Sequence, residues 1–139
     1  MNGGQVSGDT VVVDSSVIVA IFRNEADVAR LTERIFSYKR RVLSAATWLE
    51  AAIVCEGAKR EGGGAHVEEI VAALGAETVP FTSEQARLAL EAFQRFGKGR
   101  GAKASLNFGD CFVCALAKEL NAPLLYKGGD FAQTDIAAA

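Results

Sequence analysis

The chain has 139 residues, of which 50% are apolar, and its formal charge is −2 at pH 7. This length and composition fit a single globular domain with one hydrophobic core. The slightly negative charge excludes a protein that binds nucleic acid over its whole surface, because such binding needs a clear basic excess.

The first part of the chain predicts strands that alternate with helices. Residues 10–14 (TVVVD) are a β-branched run followed by the apolar VIVAIF, which indicates a strand, a turn and a helix. A second helix is expected over residues 24–38, with Asn24 as its N-cap. Residues 41–43 predict a brief strand, and Ser44 is expected to cap a helix that continues to about Lys59.

The rest of the chain continues this alternation. The predicted elements are a helix after the glycines at 62–64, a strand at 77–81, a helix from Ser83, a helix at 108–120 capped by Asn107, a strand at 124–126 and a final short strand near 135–136. Strands separated by helices predict an α/β fold with a mostly parallel sheet covered on both faces. We expect one domain, residues 10–139, after a flexible segment, residues 1–9.

The location of the protein is predicted from what the sequence lacks and from its cysteines. No apolar run approaches the ~20 residues of a membrane helix, and the polar, glycine-rich N-terminus does not resemble a signal peptide. Three cysteines, Cys55, Cys111 and Cys114, cannot all pair and lie in apolar segments, which fits buried free thiols. We therefore expect a cytoplasmic protein.

Four acidic residues interrupt apolar segments, where a solvated charge would be out of place. Asp14 ends the first strand, Glu50 lies within TWLEAAIV, Asp110 precedes Cys111, and Asp130 follows the last long strand after two glycines. The carboxyl ends of parallel strands and the adjoining helix starts meet at one edge of a sheet, where ligands bind. We expect the four carboxylates to share a site at this edge.

Each of these acids also has a structural explanation. Asp14 is suited to cap the helix that follows, and Asp110 stands three residues after Asn107, which is the spacing of a capping box. Asp130 belongs to a Gly-Gly-Asp sequence that is ordinary in turns. Glu50 is harder to explain structurally, because a carboxylate buried on an apolar helix is costly without a partner.

Together, four close carboxylates would repel one another and raise their pKa values unless a cation neutralised them. Hard oxygen ligands select Mg²⁺ or Mn²⁺. His66 is the only histidine and lies in a surface-type segment, so the usual zinc sites, the serine triad and histidine acid–base catalysis are not expected. We expect the catalytic and metal-binding residues to be Asp14, Glu50, Asp110 and Asp130.

Four segments of the sequence resemble PIN-domain proteins, specifically the VapC-type toxins of bacterial toxin–antitoxin pairs: VVVDSSVIVAIF, SAATWLEAAIV, LNFGDCFVCALAKE and PLLYKGGDFAQTDI. The resemblance implies a three-layer α/β/α PIN-like fold with a short, mostly parallel central sheet. It also implies that one or two Mg²⁺ or Mn²⁺ ions bind and that RNA is hydrolysed. A homodimer and a cognate VapB-type antitoxin are the partners that it implies.

The four acids of this family fall on Asp14, Glu50, Asp110 and Asp130. Many relatives carry another acid where this chain has Gly129, so Asp135 is an alternative for the fourth. Ser15 or Ser16 matches a small hydroxyl residue that often follows the first acid.

Other functions are alternatives to a ribonuclease. A catalytically silent PIN-fold binding module is one alternative, although such proteins tend to lose acids that this chain keeps. A receiver domain would need an acid pair after the first strand, and a haloacid-dehalogenase phosphatase would need Asp-x-Asp where this chain has Ser16. An RNA substrate would also need local positive charge, for which residues 39–41 and 98–103 are the candidates.

Overall fold

The computed structural model describes residues 8–57 and 61–139. The predicted flexible segment falls largely on residues 1–7, and the predicted helix end at Lys59 also lies outside the described residues. The elements in chain order are β1 (Thr10–Val13), α1 (Ser15–Phe22), α2 (Val28–Phe36), β2 (Arg40–Ser44), α3 (Ala45–Gly57), α4 (Gly63–Ala73), β3 (Glu77–Val79), α5 (Ser83–Phe96), α6 (Phe108–Leu120) and β4 (Leu124–Leu125).

The strands form one parallel sheet in the order β3-β2-β1-β4. Val12 of β1 lies opposite Val42 of β2 on one side and Leu124 of β4 on the other. All four residues of β1 are buried, as expected for a central strand covered on both faces. The carboxyl ends of the strands therefore lie at one edge of the sheet.

Helices cover both faces of this sheet. Side chains alternate between the faces of a strand, and Val11 and Val13 accordingly pack with residues of α1, α2, α3 and α4. Val12 faces the other way and packs with residues of α5 and α6. The predicted three-layer α/β/α fold is confirmed.

The start of the second helix was predicted wrongly. Asn24 does not cap it but has a left-handed backbone with φ of 51°, and its N–H donates to the carbonyl of Ile21. The chain turns sharply at the end of α1, and asparagine tolerates this conformation better than most residues. The helix begins four residues later, at Val28.

Two other predictions at the chain's elements have mixed outcomes. Ser44 caps α3 as predicted, since its Oγ accepts a hydrogen bond from the N–H of Ala46 at 3.1 Å. The final strand expected near residues 135–136 is instead a single parallel bridge between Leu124 and Ala138.

Within the described ranges, no helix has both the length and the apolar character that crossing a membrane requires.

Candidate functional site

Asp14 directly follows β1, at the carboxyl edge of the sheet. This edge, with the predicted acids Asp14, Glu50, Asp110 and Asp130, is here called the acidic edge. Its Oδ2 accepts hydrogen bonds from the N–H of Ser16 at 3.1 Å and from Ser16 Oγ at 2.6 Å, so it caps α1. Its side chain is nevertheless buried, with the residue 5% exposed. Asp14 is thus both a helix cap and a buried carboxylate.

Burial is the main reason why the pKa of Asp14 rises from 3.8 to about 6. The hydrogen bonds from Ser16 oppose this rise, while the nearby charge of Glu50 adds to it. The repulsion from Glu50 shows that α3 brings its carboxylate close to the end of β1.

Glu50 is half-buried on α3. The helix packs into the core through Ala51, Ala52 and Cys55, whereas Leu49 and Ile53 are 55% and 61% exposed. These two residues point away from the core because they lie on the opposite side of the helix. Glu50 stands between the two sides, at the margin of the buried face.

Asp110 lies in the first turn of α6. Its Oδ2 accepts a hydrogen bond from the N–H of Asn107 at 3.0 Å, and its own N–H donates to Asn107 Oδ1 at 2.9 Å. This is the predicted capping box, and it fixes the carboxylate in a position where the residue is 7% exposed. The structural and the functional explanations therefore apply to the same side chain.

The pKa of Asp110 rises to about 7, mainly through burial. The backbone hydrogen bond from Asn107 opposes the rise, and the charges of Asp130, Asp14 and Glu50 add to it. The charges of three predicted acids, which come from distant parts of the sequence, therefore act on the fourth, Asp110.

Asp130 and Asp135 differ in their surroundings. Asp130 is exposed in the loop after β4, and its charge acts on Asp110. Asp135 instead forms ion pairs with Arg95, at 2.8 Å, and with Lys118. Among the described residues, Asp130 is thus the better placed of the two to act with Asp110, while Asp135 already has two cationic partners.

The four carboxylates do not form a complete set of metal ligands in this structure. As far as residues 8–57 and 61–139 show, no three His, Cys, Asp or Glu side chains are arranged as ready metal ligands. The ion pairs within those same residues also leave out all four acids. The negative charge at this edge is therefore not balanced by a lysine or arginine side chain of the described chain.

The loop that carries Asp130 is hydrogen-bonded to the start of α1. The N–H of Lys127 donates to Ser16 Oγ at 2.9 Å, and the same hydroxyl donates to Asp14. Lys127 Nζ also pairs with Glu25 at 2.6 Å and with Asp27 at 3.0 Å. Ser16 therefore connects the first acid to the segment that leads to the last one.

Sequence reasoning missed the contribution of Gly109. A Cβ at this position would lie 1.9 Å from Oε2 of Glu50, so the carboxylate occupies the space beside the glycine. The only signal in the sequence was a glycine in the first turn of a helix, directly before an acid, where alanine would favour the helix more.

The two basic clusters lie in different places. Residues 39–41 are at the amino end of β2, which is the edge opposite the acids, and Arg40 pairs there with Glu77. Residues 98–103 belong to a loop whose ends are joined by hydrogen bonds between Lys98 and Leu106 and between Leu106 and Phe96. This second cluster is consequently held near the start of α6.

Comparisons with known proteins agree with this architecture. The family model described as PIN domain matches residues 11–137. The chain is 40% identical over 129 residues to "VapC ribonuclease Mb0625" of Mycobacterium bovis, covering 93% of this chain and 97% of the relative. It is 41% identical over 128 residues to "Ribonuclease VapC" of Mycolicibacterium smegmatis, covering 92% and 98% of the two chains.

Solved structures share the fold at low sequence identity. The crystal structure of VapC20 from Mycobacterium tuberculosis, described as a sarcin-ricin loop cleaving toxin, superposes with a TM-score of 0.72 at 14% identity and covers 93% of this chain and 98% of its own. VapBC2 from Rickettsia felis, solved with a DNA fragment from its promoter, gives a TM-score of 0.62 at 16% identity, with coverages of 93% and 96%.

Proposed function

Because the chain belongs to the PIN-domain family and, within it, to the VapC ribonucleases, we propose that it is a Mg²⁺-dependent endoribonuclease. It acts as the toxin of a toxin–antitoxin pair and hydrolyses phosphodiester bonds of RNA. The observation that carries this proposal is the electrostatic coupling of Asp14, Glu50 and Asp130 to Asp110 at the carboxyl edge of the sheet.

The donor set fits a hard divalent cation. Carboxylate oxygens are the ligands that Mg²⁺ and Mn²⁺ prefer, and burial with mutual repulsion makes the charged forms of Asp14 and Asp110 unfavourable without a cation. We assign the metal to Asp14, Glu50, Asp110 and Asp130.

A bound divalent cation would polarise a phosphoryl oxygen and lower the pKa of a water molecule. The chain's own residues prepare the site for this chemistry. Ser16 holds one oxygen of Asp14, and the N–H of Asn107 holds one oxygen of Asp110, so both carboxylates are oriented before an ion binds. Glu50 would serve as a ligand or would orient a water molecule, and Asp130 would be an outer ligand.

RNA as the substrate is supported by local rather than overall charge. The net charge of −2 disfavours binding across the whole surface, but Lys98, Arg100 and Lys103 lie in the loop that leads into α6. Three cations on a loop that leads into the helix of Asp110 are suited to contact RNA phosphates. The relatives named above are called ribonucleases.

The partners in this proposal are a VapB-type antitoxin and a second copy of the chain. A Klebsiella pneumoniae chain with this fold comes from a toxin–antitoxin complex. Exposed apolar surface often marks a protein interface. The large apolar side chains exposed on the described surface are Phe36, Leu49, Ile53, Val54, Leu90, Phe93 and Phe108. Cytoplasmic location completes the proposal, supported by three buried free thiols.

Replacement of Asp14 by Asn tests the function. We expect Asp14→Asn to abolish cleavage, because the amide is a neutral and weaker ligand, while circular dichroism shows an unchanged fold. Purified protein is incubated with Mg²⁺ and an RNA blocked at both ends, since only an endonuclease cuts such a substrate. RNA sequencing of the new ends identifies the cleaved bond.

Asp9→Asn is the matched control, because Asp9 precedes the amino end of β1 and lies away from the acids. This variant should cleave like the wild type. If Asp14→Asn cleaved at the wild-type rate, Asp14 would not belong to the site; if the wild type bound RNA without cutting it, the silent binding module would be the better description.

A further inference from the structure

Gly109 stands in the first turn of α6, where the Glu50 carboxylate lies directly against the helix backbone. A Cβ built on Gly109 would meet Glu50 Oε2 at 1.9 Å, Cδ at 2.6 Å and Oε1 at 2.9 Å. All three distances are shorter than real Cβ atoms tolerate. No side chain, not even a methyl group, fits between α6 and this carboxylate.

The backbone does not explain the glycine. The glycines with a left-handed φ in the described chain are Gly62, Gly75, Gly99, Gly101 and Gly128, and Gly109 is not among them. Inside a helix, glycine is less favourable than alanine because it loses more conformational freedom on folding. What Gly109 supplies is therefore space, and the Glu50 carboxylate fills that space.

The position suits a carboxylate that works beside Asp110. The first turn of a helix presents free N–H groups and the positive end of the helix dipole, which favour a negative charge. The next residue along α6 is Asp110, whose pKa is raised in part by the charge of Glu50. A carboxylate pushed out of this place would lose both the helix end and its proximity to Asp110.

We propose that Gly109 is a positioning residue of the ribonuclease site, whose missing side chain lets Glu50 reach the start of α6 and serve the same cation as Asp110. This inference rests on the proposed metal-dependent function. Gly109 acts through Glu50 and does not itself touch metal or RNA. Because the colliding atoms are the end of a flexible side chain, a methyl group here should displace the carboxylate and leave the helix intact.

Gly109→Ala tests this inference with three measurements: the affinity for Mn²⁺ alone by calorimetry, kcat and KM for RNA cleavage, and Tm. We expect Mn²⁺ affinity to fall ~10- to 100-fold, in the range seen when the support of a metal ligand is lost. The value of kcat should fall at least about tenfold because the carboxylate is misplaced. KM should stay within about twofold, and Tm should be unchanged or higher because alanine favours the helix.

Gly64→Ala is the matched control. Gly64 is the second residue of α4, as Gly109 is of α6, and a Cβ there would make an ordinary contact with the Trp48 ring at 3.4 Å. This variant should keep the wild-type Mn²⁺ affinity and kcat.

A double-mutant cycle shows whether Gly109 acts through Glu50. In a Glu50→Ala background, adding Gly109→Ala should leave Mn²⁺ affinity unchanged, because no carboxylate remains to be displaced. A further loss in that background would overturn the inference, as would wild-type affinity and kcat in Gly109→Ala alone. A clear drop in Tm would also overturn it, since the helix itself would then reject a methyl group.

The two proposals fail in different ways. If the metal-dependent function is wrong, the wild type does not bind Mn²⁺ or Asp14→Asn still cleaves, and the role of Gly109 falls with it. If only the role of Gly109 is wrong, the wild type binds Mn²⁺, Asp14→Asn is inactive, and Gly109→Ala resembles the wild type.

Discussion

Asp14 caps α1 and Asp110 belongs to the capping box of α6, and both also contribute a carboxylate to the acidic edge. The backbone N–H groups of Ser16 and Asn107 donate to these two side chains, and each bond fixes one carboxylate oxygen. A cap keeps its side chain in a single orientation, which is also what a metal ligand needs. The two roles support each other, so a capping pattern is no argument against a catalytic residue here.

The choice between Asp130 and Asp135 is testable with a pair of conservative substitutions. We expect Asp130→Asn to weaken Mn²⁺ binding and cleavage by ~10-fold or more at unchanged stability, because this side chain is exposed and acts on Asp110. Calorimetry with Mn²⁺, cleavage assays and thermal unfolding measure the three quantities.

Asp135→Asn should have the opposite profile. Burial alone would raise the pKa of Asp135, but hydrogen bonds from Lys118 and Arg95 outweigh it and hold that pKa below its usual value. Loss of these ion pairs should lower stability by up to about 1 kcal/mol and leave cleavage unchanged. Cleavage lost in Asp135→Asn but kept in Asp130→Asn would identify Asp135 as the fourth acid.

Helix α6 carries a site residue, Asp110, within its capping box. We expect Asn107→Ala to destabilise the protein by about 1 kcal/mol, because the N–H of Asp110 loses its acceptor. Cleavage should also fall, since Asp110 is then held less firmly. Urea unfolding and single-turnover cleavage are the measurements.

Asn107→Ser is the control for this substitution, because serine caps helices about as well as asparagine. Its stability and cleavage should stay close to the wild type. An equally large loss in the serine variant would mean that the asparagine side chain has a role other than capping.

Element order and the sheet edge could be predicted because they follow from local patterns. The β-branched TVVV run, the caps Ser44 and Asn107 and the acid at the end of β1 all lie within short stretches of sequence. Asn24 was misassigned because a good N-cap residue is also a good left-handed residue, and only the turn after α1 decides between them.

Other features near the site could not be predicted, for a different reason. Leu49 and Ile53 are apolar but exposed, because α3 is apolar on both sides and only its packing selects the buried side. The contact between Glu50 and Gly109 joins two helices far apart in sequence. Contacts of that kind depend on how the helices pack, and no local pattern encodes them.

For the whole molecule, the acidic edge predicts a stability that depends on pH and on metal. The pKa values of Asp14 and Asp110 are raised from 3.8 to about 6 and about 7, so without metal the folded state holds protons that the unfolded state releases. These protons stabilise the folded state below pH ~4, and this stabilisation is lost as pH rises to about 7. For Asp14 the loss in the free energy of unfolding is on the order of 3 kcal/mol. Urea unfolding in EDTA between pH 4 and 8 measures this loss.

Mg²⁺ should restore the stability at pH 8 and have little effect at pH 5, where protons compete for the carboxylates. Asp14→Asn should flatten the pH dependence in EDTA, because one raised pKa is removed. A metal-free stability that rises steadily from pH 4 to pH 8 would contradict the assignment of these two acids.

The sheet order also determines how late in synthesis the acidic edge can form. β1 and β4 are neighbours in the sheet although they are the first and last strands along the chain. Asp14 directly follows β1, and Asp130 lies in the loop after β4. Synthesis proceeds from the N-terminus, so a ribosome must translate nearly the whole domain before β4 can dock. The carboxylates of the proposed site can therefore come together only when translation of the domain is almost complete.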